Sequence, residues 1–170
     1  MAIIKQYLLP EEAQQSGTSG FAPFDKAVGT NFPVGRLLYD ATADEAAFWH
    51  LEATNYGTGD WTVDIDWYAV NATSNVVRWG VAVAAITPET DSQDAETKAF
   101  DSETIFDDTH LGTTSKRIMR ATITVASADL DGVAGGDECW LRVRRIGSNG
   151  SDTMANDAAL TMVRISYSDT

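Results

Sequence analysis

From residue 34 to residue 168, apolar and polar side chains alternate with a period of two, the signature of strands that bury one face. The clearest run is 61–69, where Trp61, Val63, Ile65, Trp67 and Ala69 share one face and Thr62, Asp64, Asp66 and Tyr68 the other. In 76–86 the apolar face is Val77, Trp79, Val81, Val83 and Ala85. In 116–126, Ala121, Ile123 and Val125 oppose Arg120, Thr122 and Thr124. In 159–168, Val163, Ile165 and Tyr167 alternate with Arg164, Ser166 and Ser168. Shorter or less regular strands are predicted over 34–40, 46–53, 104–107 and 138–146, eight in all.

The segments 55–60, 71–75, 131–137 and 147–152 carry the Gly and Asn of tight turns. One connection, 87–103, is long and holds Asp91, Asp94, Glu96, Asp101 and Glu103. No helix is predicted beyond a single turn at 127–130. Eight short strands with one long crossover predict an all-β chain, an eight-stranded antiparallel β-sandwich of jelly-roll type. An immunoglobulin-like strand order also fits.

Residues 1–33 follow neither period. Their apolar residues come in clumps separated by the flexible stretch 14–20 and punctuated by Pro10, Pro23 and Pro33. This segment is read as an extended N-terminal arm, and 34–170 as the sandwich domain. Its apolar points, Ile3, Ile4, Tyr7, Leu8, Leu9, Phe21, Phe24 and Phe32, are candidates for gripping a partner.

Charge narrows the partners. Twelve Lys and Arg against 25 Asp and Glu give a net charge of −13, which repels nucleic-acid phosphates and anionic membranes alike. The first ten residues hold too short an apolar run for a secretory signal, and no stretch is long enough to span a bilayer, so synthesis in a cytoplasm is expected. The two Asn-x-Ser/Thr triplets, at 71–73 and 149–151, are accordingly read as coincidence. With one cysteine, Cys139, no internal disulfide forms and a cysteine zinc site is not expected; Cys139 is predicted to be a small buried residue.

The reactive residue types form no catalytic pattern. His50 is expected to be exposed or at an interface, and His110 solvated in a loop; with Cys139 they make no nucleophile–base arrangement. Asp64 and Asp66 lie about 6.5–7 Å apart on one strand face, a spacing glycosidases use, but alternating acids are expected to be solvated. Asp91-x-x-Asp94-x-Glu96 does not follow the EF-hand spacing, and the acidic 87–108 region is expected to be solvated loop charge. No catalytic residue, metal or cofactor is assigned. Of the five tryptophans, Trp49, Trp61, Trp67 and Trp79 are assigned to the core; Trp140 is open between core and a sugar-stacking surface. Trp140, Arg142 and Arg144 share a face that predicts acidic partners, across an oligomer interface or within the domain.

The stretches FWHLEATNYGTGDWTVDIDWYA (48–69), RWGVAVAAITPETDSQDAETKAF (78–100), RATITVASADLDGVAGGDECWLRVRR (120–145) and DTMANDAALTMVRISYS (152–168) resemble a family of jelly-roll virion proteins of tailed phages, the capsid cement or decoration proteins. That resemblance implies a non-enzymatic homotrimer on the capsid surface, made in the host cytoplasm. Its partner would be the major capsid protein; the arm lies outside the shared pattern, and its apolar points alone lead to the expectation that it clamps neighbours and is dispensable for folding. The alternative is a tail- or fibre-associated jelly roll that binds a host glycan or receptor.

Overall fold

The computed structural model describes residues 1–15, 20–71 and 73–170. The eight predicted strands are all present: β3 (Val34–Tyr39), β4 (Asp44–Glu52), β5 (Trp61–Ala69), β6 (Val76–Ile86), β7 (Thr104–Thr109), β8 (Met119–Val125), β9 (Glu138–Ile146) and β10 (Ala158–Ser168). Two more, β1 (Ile3–Leu8) and β2 (Phe24–Ala27), come from the N-terminal segment. β8 starts at Met119 and not at the predicted residue 116 because Lys116 takes a left-handed turn (φ 59°) ahead of it.

The pairing is nested and antiparallel throughout: β6 with β7, β5 with β8, β4 with β9, and β3 with β10. The chain from 34 to 168 is therefore one long hairpin, its tip at the 87–103 connection, rolled so that successive pairs alternate between two sheets. One sheet has the order β2-β3-β10-β5-β8, with β1 also on β10; the other is β4-β9-β6-β7. This is a jelly roll, and not the immunoglobulin order that the sequence also allowed.

The alternation works as predicted. The inward faces of β5, β6, β8, β9 and β10 bury Trp61, Trp67, Trp79, Ile123, Leu141, Val143 and Ile165, and β4 adds Trp49. Trp67 meets Trp79 edge-on at 6.1 Å, Tyr39 meets Trp79 at 5.2 Å, and Trp61 stacks on Tyr167 at 5.4 Å. Cys139 is buried, and desolvation pushes its thiol up to about 12.

Two polar expectations are corrected. Asp64 and Asp66 are not solvated: they are 5% and 8% exposed. They lie on β5, flanked on both sides by β10 and β8, whose arginines close over them. Arg120 makes a two-pronged contact with Asp66 (2.6 and 2.8 Å), while Arg164 and Thr122 hold Asp64. His110 is fully buried rather than solvated. It packs edge-on against Trp67, 6.0 Å between rings, and its Nδ1 accepts from the Gly112 N–H at 3.0 Å. Nearby, Asp108 accepts from Trp67 Nε1 at 2.7 Å, and burial raises its carboxyl above the ordinary range.

The N-terminal segment is bound into its own domain. β1 runs along β10 from Ile3↔Ser168 to Leu8↔Val163, and β3 occupies the other end of the same edge, from Leu160↔Leu37 to Ala158↔Tyr39. Gln14 bridges to Phe48 and Phe21 to Ala46, so the segment also covers the outer edge of β4. Both edges would otherwise present unpaired backbone groups, and the segment supplies their partners.

Candidate functional site

On the outer face of the four-stranded sheet, strand alternation sets Phe48 and His50 of β4 beside Trp140, Arg142 and Arg144 of β9 and Ala82 and Ala84 of β6. His50 and Trp140 are direct cross-strand partners and their rings stack at 4.8 Å. The two alanines opposite Arg142 and Trp140 leave the middle of the face low. Gly80 completes that low strip: a Cβ there would stand 2.6 Å from Glu103 Oε1, so a larger residue would push that carboxylate from its present place over β6.

The 87–103 connection folds back along this face. Its carboxylates serve as internal acceptors: Asp91 accepts from the Thr87 N–H (2.9 Å), Asp94 from Glu96 N–H (2.9 Å) and Asp101 from Asp131 N–H (2.9 Å). Thus anchored, it brings Phe100 to 5.9 Å from Phe48, with the Arg142 guanidinium 5.0 Å over the Phe100 ring. The result is a cleft of about 240 Å³ lined by Gln14, Gln15, Phe48, Ala84, Ala95, Lys98, Phe100 and Trp140. A second depression of about 440 Å³ shares Lys98 and Phe100 with it and continues toward Asp94, Asp101 and Asp131. Three aromatic rings, two side-chain amides and one ammonium make a site with apolar walls and a few polar rims, suited to a flat ligand with polar edges.

The arginines predicted to seek acidic partners find them within the chain. Glu103 accepts from Arg142 (3.1 Å) and, through both oxygens, from Arg144 (2.6 and 2.5 Å). That hydrogen bonding holds Arg144 above the ordinary guanidinium range. The arm's candidate residues divide between core and surface. Leu8 is buried and Ile4 and Phe21 pack against the core, whereas Ile3, Tyr7, Leu9, Phe24 and Phe32 are exposed. The missed side chains of the cleft are Gln14, Gln15, Phe48, Lys98 and Phe100, because nothing local in the sequence marks them as neighbours of Trp140. Among the described residues no cluster of His, Cys, Asp and Glu is arranged to hold a metal ion.

No family model and no curated protein matches the chain. Solved structures do. A CBM35 from Cellvibrio japonicus Abf62 is 14% identical, with 95% of this chain and 92% of that one covered, at a TM-score of 0.51. A family 35 carbohydrate binding module from an environmental isolate is 11% identical over 97% and 92%, at 0.49. The CBM36-1 domain of a xylanase from the hindgut metagenome of Trinervitermes trinervoides is 11% identical over 95% and 96%, also at 0.49. At this identity the likeness establishes the sandwich fold. The expectation of a capsid cement protein is corrected: the CBM35 that shares the sandwich is a carbohydrate-binding module, and β1 of the arm that was to clamp the shell is paired along β10 of its own sheet.

Proposed function

We propose that this chain is a non-catalytic glycan-binding jelly roll that holds sugar on the outer face of its four-stranded sheet. The observation that carries the reading is the cleft in which Trp140, Phe48 and Phe100 meet Gln14, Gln15 and Lys98. A pyranose presents C–H groups on its faces and hydroxyls on its edges. Aromatic rings take the former by dispersion and side-chain amides take the latter as donors and acceptors. The names of the modules that share the fold support it: they are carbohydrate-binding modules. The lining holds one ionisable side chain, Lys98, which is already bonded to Asp131 at 2.8 Å, and no carboxylate. A binding role needs no more than this. On a phage tail or fibre, the setting that the virion resemblance implies, such a face would meet a host surface glycan.

Trp140 is the test. It is half-buried on the sheet surface and outside the core, so Trp140→Ala is expected to leave the melting temperature within a few degrees of the parent. It is expected to weaken glycan binding by about 30-fold, the ~2 kcal/mol of a central aromatic contact. Isothermal titration calorimetry against a panel of hexasaccharides reads both affinity and stoichiometry. Undiminished binding by the variant moves the site off this face; no binding by the parent to any glycan on a broad array removes the reading.

A further inference from the structure

Resting on the glycan reading, the charge pattern of the same face selects among glycans. Three cations stand on or beside the cleft, and each is matched by a carboxylate of the same chain. Lys98 pairs with Asp131 at 2.8 Å, and Arg142 with Glu103 at 3.1 Å. Arg144 pairs with Glu103 at 2.5 Å and has Asp44 at 3.6 Å. The ends of the face add acid. His50 stands opposite Glu138 at 3.2 Å, and Asp94 and Asp101 line the depression beyond Phe100. Among the described residues, then, each cation of this face has a carboxylate partner, the one open donor, Arg142 Nε, is buried away from solvent, and the chain as a whole carries −13.

Glu103 is the hinge of this arrangement. It is 14% exposed at its side chain, takes both arginines at once, and lies over Gly80, where a side chain would press on its carboxylate. Arg142 in turn covers the Phe100 ring that lines the cleft. Without the Glu103 charge, Arg142 would lose its carboxylate and Arg144 would keep only Asp44 at 3.6 Å, so guanidinium N–H groups beside the cleft would be open to an anion in the two-pronged geometry arginine favours.

We infer that Glu103 is a specificity-determining residue: by occupying Arg142 and Arg144 it makes this face accept neutral glycans and reject uronate- or sulfate-bearing ones.

The experiment compares parent, Glu103→Gln and Trp140→Ala by titration calorimetry with neutral hexasaccharides (gluco-, manno- and xylo-configured) and with hexagalacturonate. Thermal melts check that each variant is folded. Arg142 and Arg144 are 26% and 30% exposed at their side chains, so water solvates them when Glu103 loses its charge and the glutamine variant keeps its fold. The parent is expected to bind a neutral glycan and to leave hexagalacturonate unbound. Glu103→Gln is expected to gain hexagalacturonate binding by about tenfold or more at low salt, fading as ionic strength passes ~0.15 M and screening shortens to ~8 Å. Neutral binding with no anionic gain in Glu103→Gln overturns the inference and leaves the glycan reading standing. So does parent binding of hexagalacturonate that Trp140→Ala abolishes. Absence of any glycan binding by parent and variant overturns both.

Discussion

Deleting residues 1–9 is expected to cost about 3–6 kcal/mol and to lower the melting temperature by on the order of 10 °C. The deletion removes Leu8 from the core, worth ~1.5–3 kcal/mol. It also takes away the Leu9 carbonyl that Trp49 Nε1 donates to at 2.9 Å, and an orphaned buried N–H costs ~1–3 kcal/mol. Six backbone positions of β10, Val163 to Ser168, lose their β1 partners as well. The entropy regained by releasing nine residues offsets part of these losses. Urea denaturation of the truncated and full chains measures the difference, and an unchanged midpoint would show the segment to be dispensable after all. An independent arm built to clamp a neighbour would behave in that second way.

Asp152→Ala is expected to be comparably damaging, by about 3–5 kcal/mol. Asp152 and Arg145 are both fully buried at their side chains. The carboxylate accepts from Arg145 Nε (2.9 Å) and Nη2 (2.8 Å), and from the N–H groups of Arg78 (3.0 Å) and Met154 (3.2 Å). Arg145 also donates to the carbonyls of Tyr39 (3.2 Å), Asn156 (2.9 Å) and Met154 (2.5 Å), tying the 147–157 loop to the end of β3. Alanine leaves a guanidinium inside the protein with no counter-charge. The double variant Arg145→Met/Asp152→Leu removes both charges and is expected to recover part of the loss, because the three carbonyls still go without their donor. Chemical denaturation of single and double variants checks the order; a single variant within 1 kcal/mol of the parent would mean that water reaches the arginine.

What the sequence made legible was the set of faces. Alternation in β5, β6, β8 and β10 assigned Trp61, Trp67, Trp79, Ile123 and Ile165 to the core, and burial agrees. Alternation says which side of a sheet a residue is on, and nothing about what lies over that side. Asp64 and Asp66 were therefore placed on the right face and given the wrong environment, since the arginines that cover them come from β8 and β10, 54 and 100 residues away in sequence. β1 escaped notice because its apolar residues come in adjacent pairs, Ile3-Ile4 and Tyr7-Leu8, that show no period of two, and its pairing partner is the last strand of the chain. The cleft was half legible. Trp140, Arg142 and Arg144 could be placed on one face, but Phe100 reaches them only because the carboxylates of an acidic connection, read as solvated charge, are spent on holding its backbone. Gln14 and Gln15 arrive through the bridge between Gln14 and Phe48, which no local pattern announces.

The uneven placement of the tryptophans makes the molecule its own optical reporter. Trp49, Trp61, Trp67 and Trp79 are at most 1% exposed, sealed in a rigid apolar interior, so their emission forms a blue, constant background that dissolved iodide does not reach. Trp140 alone sits half in water, on the proposed sugar-binding face. Its red-edge emission should be the part that a collisional quencher removes, and the part that a bound ligand protects. A single quenching curve with and without sugar thus reads the occupancy of that face with no label attached.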